Sequence, residues 1–75
     1  MTSAQLRAAR GLLSWTVRDL AERAGVHRNT ITNIETGRFV GGVDTLSIIR
    51  RALEAAGVEF IAENGGGPGV RLRKG

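Results

Sequence analysis

One short segment carries several side chains that could hydrogen-bond to the edges of nucleic-acid bases. These side chains are Arg28, Asn29, Thr30, Thr32 and Asn33. Ile31 and Ile34 lie among them at the three-residue spacing of one helical face. Arginine can bind guanine and asparagine can bind adenine through two hydrogen bonds each, and threonine can bond to several base edges. The segment therefore predicts a helix that buries its isoleucines and offers a hydrogen-bonding face to a DNA groove.

Two residues that flank this face need a physical explanation. A free carboxylate at Glu35 would repel phosphate, so we expect Glu35 to pair with an arginine of the first helix, Arg10. His27 stands where the helix needs an N-terminal cap, and histidine is a poorer cap than serine, threonine, asparagine or aspartate. Its ring either donates a hydrogen bond to a DNA phosphate or is simply a tolerated weak cap. The residue types leave both interpretations open.

The polar segment is the second half of a helix-turn-helix pattern that spans residues 20–37. Leu20, Ala21 and Ala24 share one helical face, and Gly25 then offers a left-handed end to their helix. Two short helices joined by a tight turn with glycine are the signature of this motif. We predict the second helix of the chain from about 17 to 24 and the third from about 28 to 36.

Capping signals and apolar spacing predict two further helices around the motif. Thr2 with Gln5, and Thr16 with Asp19, have the spacing of capping boxes that open the first and second helices. In the loop after the third helix, Phe39 is expected to cover the open edge of the core. The inward stripe of a fourth helix follows at Leu46, Ile49 and Leu53.

The last stretch consists of two alternating segments around a glycine-rich loop. Residues 58–61 and 70–74 alternate, while residues 62–69 carry four glycines and a proline. This pattern predicts a β-hairpin, which is marginal alone and must pack on the helices or on a second copy. We expect its apolar face to form a dimer interface, with a roof over its own helices as the alternative. That face comprises Val58, Phe60, Val70 and Leu72.

Composition limits the possible classes of protein. Seventy-five residues make one small domain, with a helix-turn-helix part at 1–57 and a hairpin extension at 58–75. A formal charge of +4 favours a polyanionic partner. The absence of cysteine and the single histidine predict no metal and no cofactor. No apolar run reaches the ~18 residues of a membrane span, and the N-terminus lacks a signal-peptide pattern, so we expect a cytoplasmic protein without a membrane partner.

Residues from about 6 to 53 resemble the Cro/cI-type (XRE) helix-turn-helix family of phage and bacterial repressors. The matching stretches are 6–10, 15–16, 20–26, 30–38 and 45–53, in the order of the family. The resemblance implies a mainly α fold, a compact lambda-repressor-like four-helix bundle, which the predicted hairpin would follow. It also implies a homodimer on operator DNA, with the helix at 28–36 in the major groove.

Carried over by position, the resemblance assigns roles to individual residues. It implies base reading by Arg28, Asn29, Thr32 and Asn33. It implies phosphate contacts from Thr16, Val17, His27 and Arg38. At Val17 relatives often carry a glutamine that binds phosphate, and valine could offer only its backbone N–H. The Arg10 and Glu35 positions match an internal salt bridge of some relatives.

These observations predict a sequence-specific transcriptional regulator, a repressor, that binds double-stranded DNA at an inverted repeat as a homodimer. The alternative is a protein-interaction module such as an antitoxin or adaptor. It is favoured by the valine at 17 in place of the family's glutamine, and by the acids Asp19, Glu22 and Glu35. An enzyme is not expected, because one histidine, no cysteine and no paired carboxylates leave nothing to assemble into a catalytic site.

Overall fold

The structure is a computed structural model that describes residues 1–38, 42–63 and 65–73. Four helices precede a two-stranded antiparallel hairpin, which confirms the predicted fold class. The elements are α1 (Ser3–Leu12), α2 (Val17–Ala24), α3 (Arg28–Glu35), α4 (Val43–Ala55), β1 (Val58–Ile61) and β2 (Gly69–Leu72). Phe39, which was expected to cover the core, lies outside the described residues.

Local signals start and stop the helices. The hydroxyls of Thr2 and Thr16 accept hydrogen bonds from Gln5 N–H and Asp19 N–H, so both predicted capping boxes are present. Gly25 ends α2 in the left-handed conformation, with a φ of 71° that a residue without Cβ adopts at no steric cost. The turn between α2 and α3 therefore begins at a glycine.

Helix α3 is one residue shorter than the predicted span of 28–36. Thr36 is its C-terminal cap, and the Thr36 hydroxyl turns back to donate to Thr32 O at 2.8 Å. The chain then leaves the helix through Gly37 with a φ of 76°, and Arg38 N–H donates to Asn33 O at 2.8 Å. The last carbonyl groups of the helix are thus satisfied locally.

One apolar core joins all four helices to the hairpin. Helix α2 packs against both α3 and α4, while α1 packs against α3 and β2. The buried apolar residues are Leu6, Ala9, Leu20, Ala21, Ile31, Ile34, Ile49, Leu53 and Val58. Because Val58 of β1 belongs to this set, the hairpin completes the core of the helices instead of standing apart from it.

A buried glutamine fixes the hairpin to the first helix. The Gln5 side-chain amide donates to Ile61 O at 3.2 Å and to Gly69 O at 2.9 Å, at the end where the two strands are joined by their loop. Its side-chain oxygen accepts from Thr2 N–H at 2.9 Å. One side chain therefore caps α1 and holds both strands.

Replacement of Gln5 should separate the hairpin from α1. We expect Gln5→Leu to lower the free energy of unfolding by about 1–3 kcal/mol, because both hydrogen-bonding ends are lost from a buried site. Gln5→Glu should cost more at neutral pH, since a carboxylate oxygen would face two carbonyl oxygens. Urea unfolding followed by circular dichroism measures both changes.

The control for this experiment is Thr2→Ala, which removes only the helix cap and should cost about 1 kcal/mol. A Gln5→Glu protein as stable as the native one would contradict the proposed role of the amide as a donor to the strands.

Candidate nucleic-acid interface

Helix α3 turns one polar face to solvent. Ile31 and Ile34 are buried, which aims the opposite side of the helix outward. The residues of that outward face, all exposed, are Arg28, Asn29, Thr32 and Asn33. At 100° per residue they span an arc of about 140°. Their side chains form no hydrogen bond with other described residues, so their donors and acceptors are available to a ligand.

His27 caps the helix that carries this face. It has extended backbone angles, and its Nδ1 accepts a hydrogen bond from Asn29 N–H at 3.0 Å. An imidazole nitrogen that accepts carries no proton, so the proton of the neutral ring is on Nε2. The side chain thus acts as the helix cap, and its Nε2–H remains as a donor on the exposed ring. Capping and phosphate binding are compatible roles for this residue.

The start of α2 is closed by its own capping box. Thr16 N–H donates to the Asp19 carboxylate at 2.9 Å, and the Thr16 hydroxyl accepts from Asp19 N–H at 3.0 Å. These hydrogen bonds from Thr16 hold the pKa of Asp19 below its ordinary value. The cap therefore stabilises the helix above the ordinary aspartate pKa and loses that contribution as the pH falls through the lowered value. Val17 is half-buried against the core.

A buried ion pair holds α3 to α1. Arg10 Nε lies 2.8 Å from Glu35 Oε2, and its Nη2 lies 3.0 Å from Oε1, so the contact is bidentate. Glu35 is only 8% exposed. The hydrogen bonds that Arg10 donates to Glu35 raise the pKa of Arg10 above its usual value, so the guanidinium stays charged. The third nitrogen of Arg10 reaches Trp15 O at 3.0 Å and ties in the loop before α2.

Two further side chains of α1 bind the carboxyl end of α3. The Ser3 hydroxyl donates to Ile34 O at 2.6 Å, and the Arg7 guanidinium donates to Glu35 O. A cation at the C-terminal carbonyls complements the helix dipole. Helix α3 is therefore fixed at its last turn, and its polar face stays exposed to solvent.

Comparison with known protein families decides the classification. The sequence profile of a family described as a helix-turn-helix domain matches residues 3–60. The chain belongs to the helix-turn-helix domain family. No curated protein matches the chain significantly. Membership of this family indicates a DNA-binding regulator, with DNA as its partner.

Three further residues for which phosphate contacts were predicted lie at the ends of α2 and α3. Arg38 is exposed just after the end of α3. Thr16 is exposed at the start of α2, although its N–H and hydroxyl oxygen already serve the cap. Val17 can contribute only its backbone, because its side chain is half-buried and apolar.

The structure shows how the four residues predicted for the dimer interface are buried within their own chain. Val58 is 1% exposed, and Phe60 and Val70 pack against the core. Of the four, only Leu72 is an exposed large apolar residue, at 45%. Three of the four residues therefore roof their own helices, and the dimer interface stays a prediction.

Several positioning residues were not assigned from the sequence. Gln5 was predicted as a helix cap, but its contact with the strands spans 56 and 64 residues. Ser3 and Arg7 were not expected to bind α3. Ser3 lies three residues before Leu6 and Arg7 directly after it, and neither residue carries a sequence signal that distinguishes it from a solvated residue.

Within the described ranges, no group of three or more histidine, cysteine, aspartate or glutamate side chains could hold a metal ion. None of the helices that the structure describes is long and apolar enough to cross a membrane.

The ion pair between α1 and α3 can be tested by a double-mutant cycle. Arg10→Leu should cost about 3 kcal/mol of unfolding free energy, because it leaves the Glu35 carboxylate buried without its cation. The double variant Arg10→Leu/Glu35→Leu should be less destabilised than the sum of the two single variants. Urea unfolding at pH 7 gives all three values.

The sum of the two single substitutions is the internal control for this cycle. Strict additivity of the single substitutions would show that the pair does not hold the two helices together.

Proposed function

We propose that this helix-turn-helix protein is a sequence-specific transcriptional regulator of the Cro/cI type, acting as a repressor. In this proposal α3 enters the major groove of an operator. The observation that carries it is the exposed, hydrogen-bonding face of α3, which has no partner among the described residues and is rigidly attached through the Arg10–Glu35 pair.

Base reading is assigned to the outward residues of α3. Arg28 occupies the first position of the helix and suits the O6 and N7 acceptors of guanine. Asn29 and Asn33 offer both a donor and an acceptor, the pairing that adenine requires. Thr32 lies between them and contributes a methyl group and a hydroxyl.

Phosphate contacts are assigned to the rim of this face. The Nε2–H of His27, the Thr16 hydroxyl and the exposed guanidinium of Arg38 provide donors of suitable chemistry. At Val17 the backbone N–H in the first turn of α2 would take the place of the glutamine found in relatives. These contacts set the position of α3 in the groove and carry no sequence information themselves.

The proposed assembly is a homodimer on an inverted repeat in cytoplasmic DNA. A two-fold axis would place two copies of α3 in successive major grooves, with half-sites about 34–36 Å apart from centre to centre. One copy offers few base-reading side chains, so a second copy is needed for operator specificity.

A protein-interaction module, such as an antitoxin or adaptor, is the second candidate. The exposed surface of α2 carries Asp19 and Glu22, and Glu22 lies 3.7 Å from Arg18 across one helical turn. This mixed charge is less suited to phosphate than a purely basic surface. Selection of bound duplexes from a random DNA pool separates the candidates: an enriched inverted repeat supports the regulator, and no enrichment supports the module.

Substitutions on and beside α3 should separate base reading from phosphate binding. We expect Arg28→Ala and Asn33→Ala to weaken binding to the selected operator by about 1–3 kcal/mol each while binding to random DNA is largely kept. Arg38→Ala should weaken both and reduce the dependence of affinity on salt by about one phosphate contact. Fluorescence anisotropy with the two duplexes at several salt concentrations measures these effects.

The matched control is Arg51→Ala, which removes one exposed arginine from α4, away from α3. It should leave operator discrimination unchanged. If Arg28→Ala and Asn33→Ala weakened operator and random DNA equally, the assignment of base reading to these residues would be wrong.

The two roles of His27 can be separated by one pair of variants. His27→Asn should retain the helix cap and lose the Nε2–H donor, whereas His27→Ala should lose both and about 1 kcal/mol of stability. Both should weaken operator and random DNA by the same factor, since a phosphate contact carries no sequence information. Full DNA affinity in His27→Asn would remove the phosphate assignment.

A further inference from the structure

The two edges of the hairpin differ in exposure. Strand β1 is buried or half-buried along its whole length, while the second half of β2 is exposed. In the register Val58 pairs with Leu72 and Phe60 with Val70. Arg73 N–H donates to Gly57 O at 2.8 Å, just beyond the first of these pairs.

This hydrogen bond fixes which backbone groups point outward. In an antiparallel pair, hydrogen-bonded and non-hydrogen-bonded residue pairs alternate. Since Gly57 and Arg73 are hydrogen-bonded, the pairs Glu59–Arg71 and Ile61–Gly69 are hydrogen-bonded too, and the pairs between them are not. Val70 and Leu72 must then direct their N–H and C=O groups away from β1. Within the described residues no hydrogen bond reaches these outward groups. Such an edge is a template for another strand.

We propose that the outer edge of β2 pairs antiparallel with β2 of a second copy of this chain, which produces a four-stranded sheet. Val70 lies opposite the partner subunit's Leu72, Leu72 lies opposite the partner subunit's Val70, and Arg71 lies on the two-fold axis. The four outward N–H groups of the two strands then meet four C=O groups. The inference deepens the homodimer of the proposed function and rests on it.

The amino-acid types of β2 select this register. A two-fold axis at Val70 would set Leu72 opposite the partner subunit's Pro68, which has no N–H to donate. An axis at Leu72 would leave a single paired position inside the strand as the structure bounds it. Only the axis at Arg71 uses both outward residues of β2.

A second copy also fits the apolar surface beside this edge. Leu72 is 45% exposed, and pairing with the partner subunit's Val70 would extend the apolar row of the sheet. Helix α1 packs against β2 and carries another exposed apolar side chain, Leu12, at 41%.

The charges along the edge are compatible with self-pairing. Two arginines would face each other at the axis, but each Arg71 already donates to Glu59 Oε1 of its own chain at 2.9 Å. The row across the four strands therefore runs acid, base, base, acid, with no net charge. The acids are supplied by β1 on the outer side of each arginine.

Cysteine cross-linking tests the register, since the native chain contains no cysteine. At the axis the Cα atoms of Arg71 and the partner subunit's Arg71 would be about 4.5 Å apart, within the range that a disulfide spans. Arg71→Cys should therefore form a covalent dimer under mild oxidation. Arg51→Cys on α4 and Arg73→Cys, which would face the partner subunit's Gly69, should remain largely uncross-linked on a non-reducing gel.

The second measurement is the dissociation constant of the dimer without DNA, from sedimentation equilibrium. Leu72→Pro removes an outward N–H and spares the ladder of its own hairpin, so it should raise the dissociation constant at least about tenfold. Leu72→Thr, which keeps the N–H, should have a smaller effect in the same direction. Ile48→Thr on α4 is the matched control, because Ile48 is 44% exposed, and should change nothing.

The outcomes separate the inference from the proposed function. A dimeric native protein whose Arg71→Cys variant cross-links no faster than the controls would overturn the edge pairing and leave the homodimer standing. A native protein that is monomeric both alone and on the selected operator would overturn the homodimer as well. The base-reading assignment is measured separately on operator and random DNA, so neither result decides it.

Discussion

The orientation of α3 depends on one buried carboxylate. Glu35 closes the last turn of α3 inside the protein, where an unpaired charge would be costly, and Arg10 of α1 neutralises it through two hydrogen bonds. Arg10 also holds Trp15 O, so α1, the loop before α2 and the end of α3 share one guanidinium. An α3 free to tilt about its last turn could not keep its polar face in a constant direction.

Side chains that bind two elements at once also hold the hairpin in place. Gln5 caps α1 with its oxygen and binds both strands with its nitrogen, and Arg73 donates to Glu54 O at the end of α4. A domain of this size has too few apolar residues to hold a two-stranded ribbon by burial alone. Bifunctional polar side chains therefore supplement the core where Val58 enters it.

The candidate DNA surface departs from local optimum at two positions. His27 caps α3 although better capping residues exist, and Val17 places an apolar side chain in the first turn of α2. A ligand would explain the choice of His27, because its second ring nitrogen stays available after the cap is made. For Val17 the half-buried side chain serves the core, and only its backbone can serve DNA.

Much of the fold could be predicted from the sequence because its signals are local. The capping boxes at Thr2 and Thr16, the left-handed Gly25 and the spacing of Ile31 and Ile34 act within one or two helical turns, and the structure places each element within a residue or two of the prediction. The outward position of the polar residues of α3 follows from the same periodicity. Glu35 could also be interpreted, since an acid beside a DNA-facing surface needs a cation.

Only the tertiary structure decided what the hairpin and the first helix do. Alternation in β1 and β2 predicted an apolar face and could not say what would cover it, because periodicity is the same for a roof and for an interface. The burial of Val58 and the bonds of Gln5 depend on residues more than 50 positions away. The sequence by itself therefore determined the helices and their polar faces through short-range geometry. The packing of α1 and β2, and with it the strand edge left open to a second copy, was decided by contacts between distant parts of the chain.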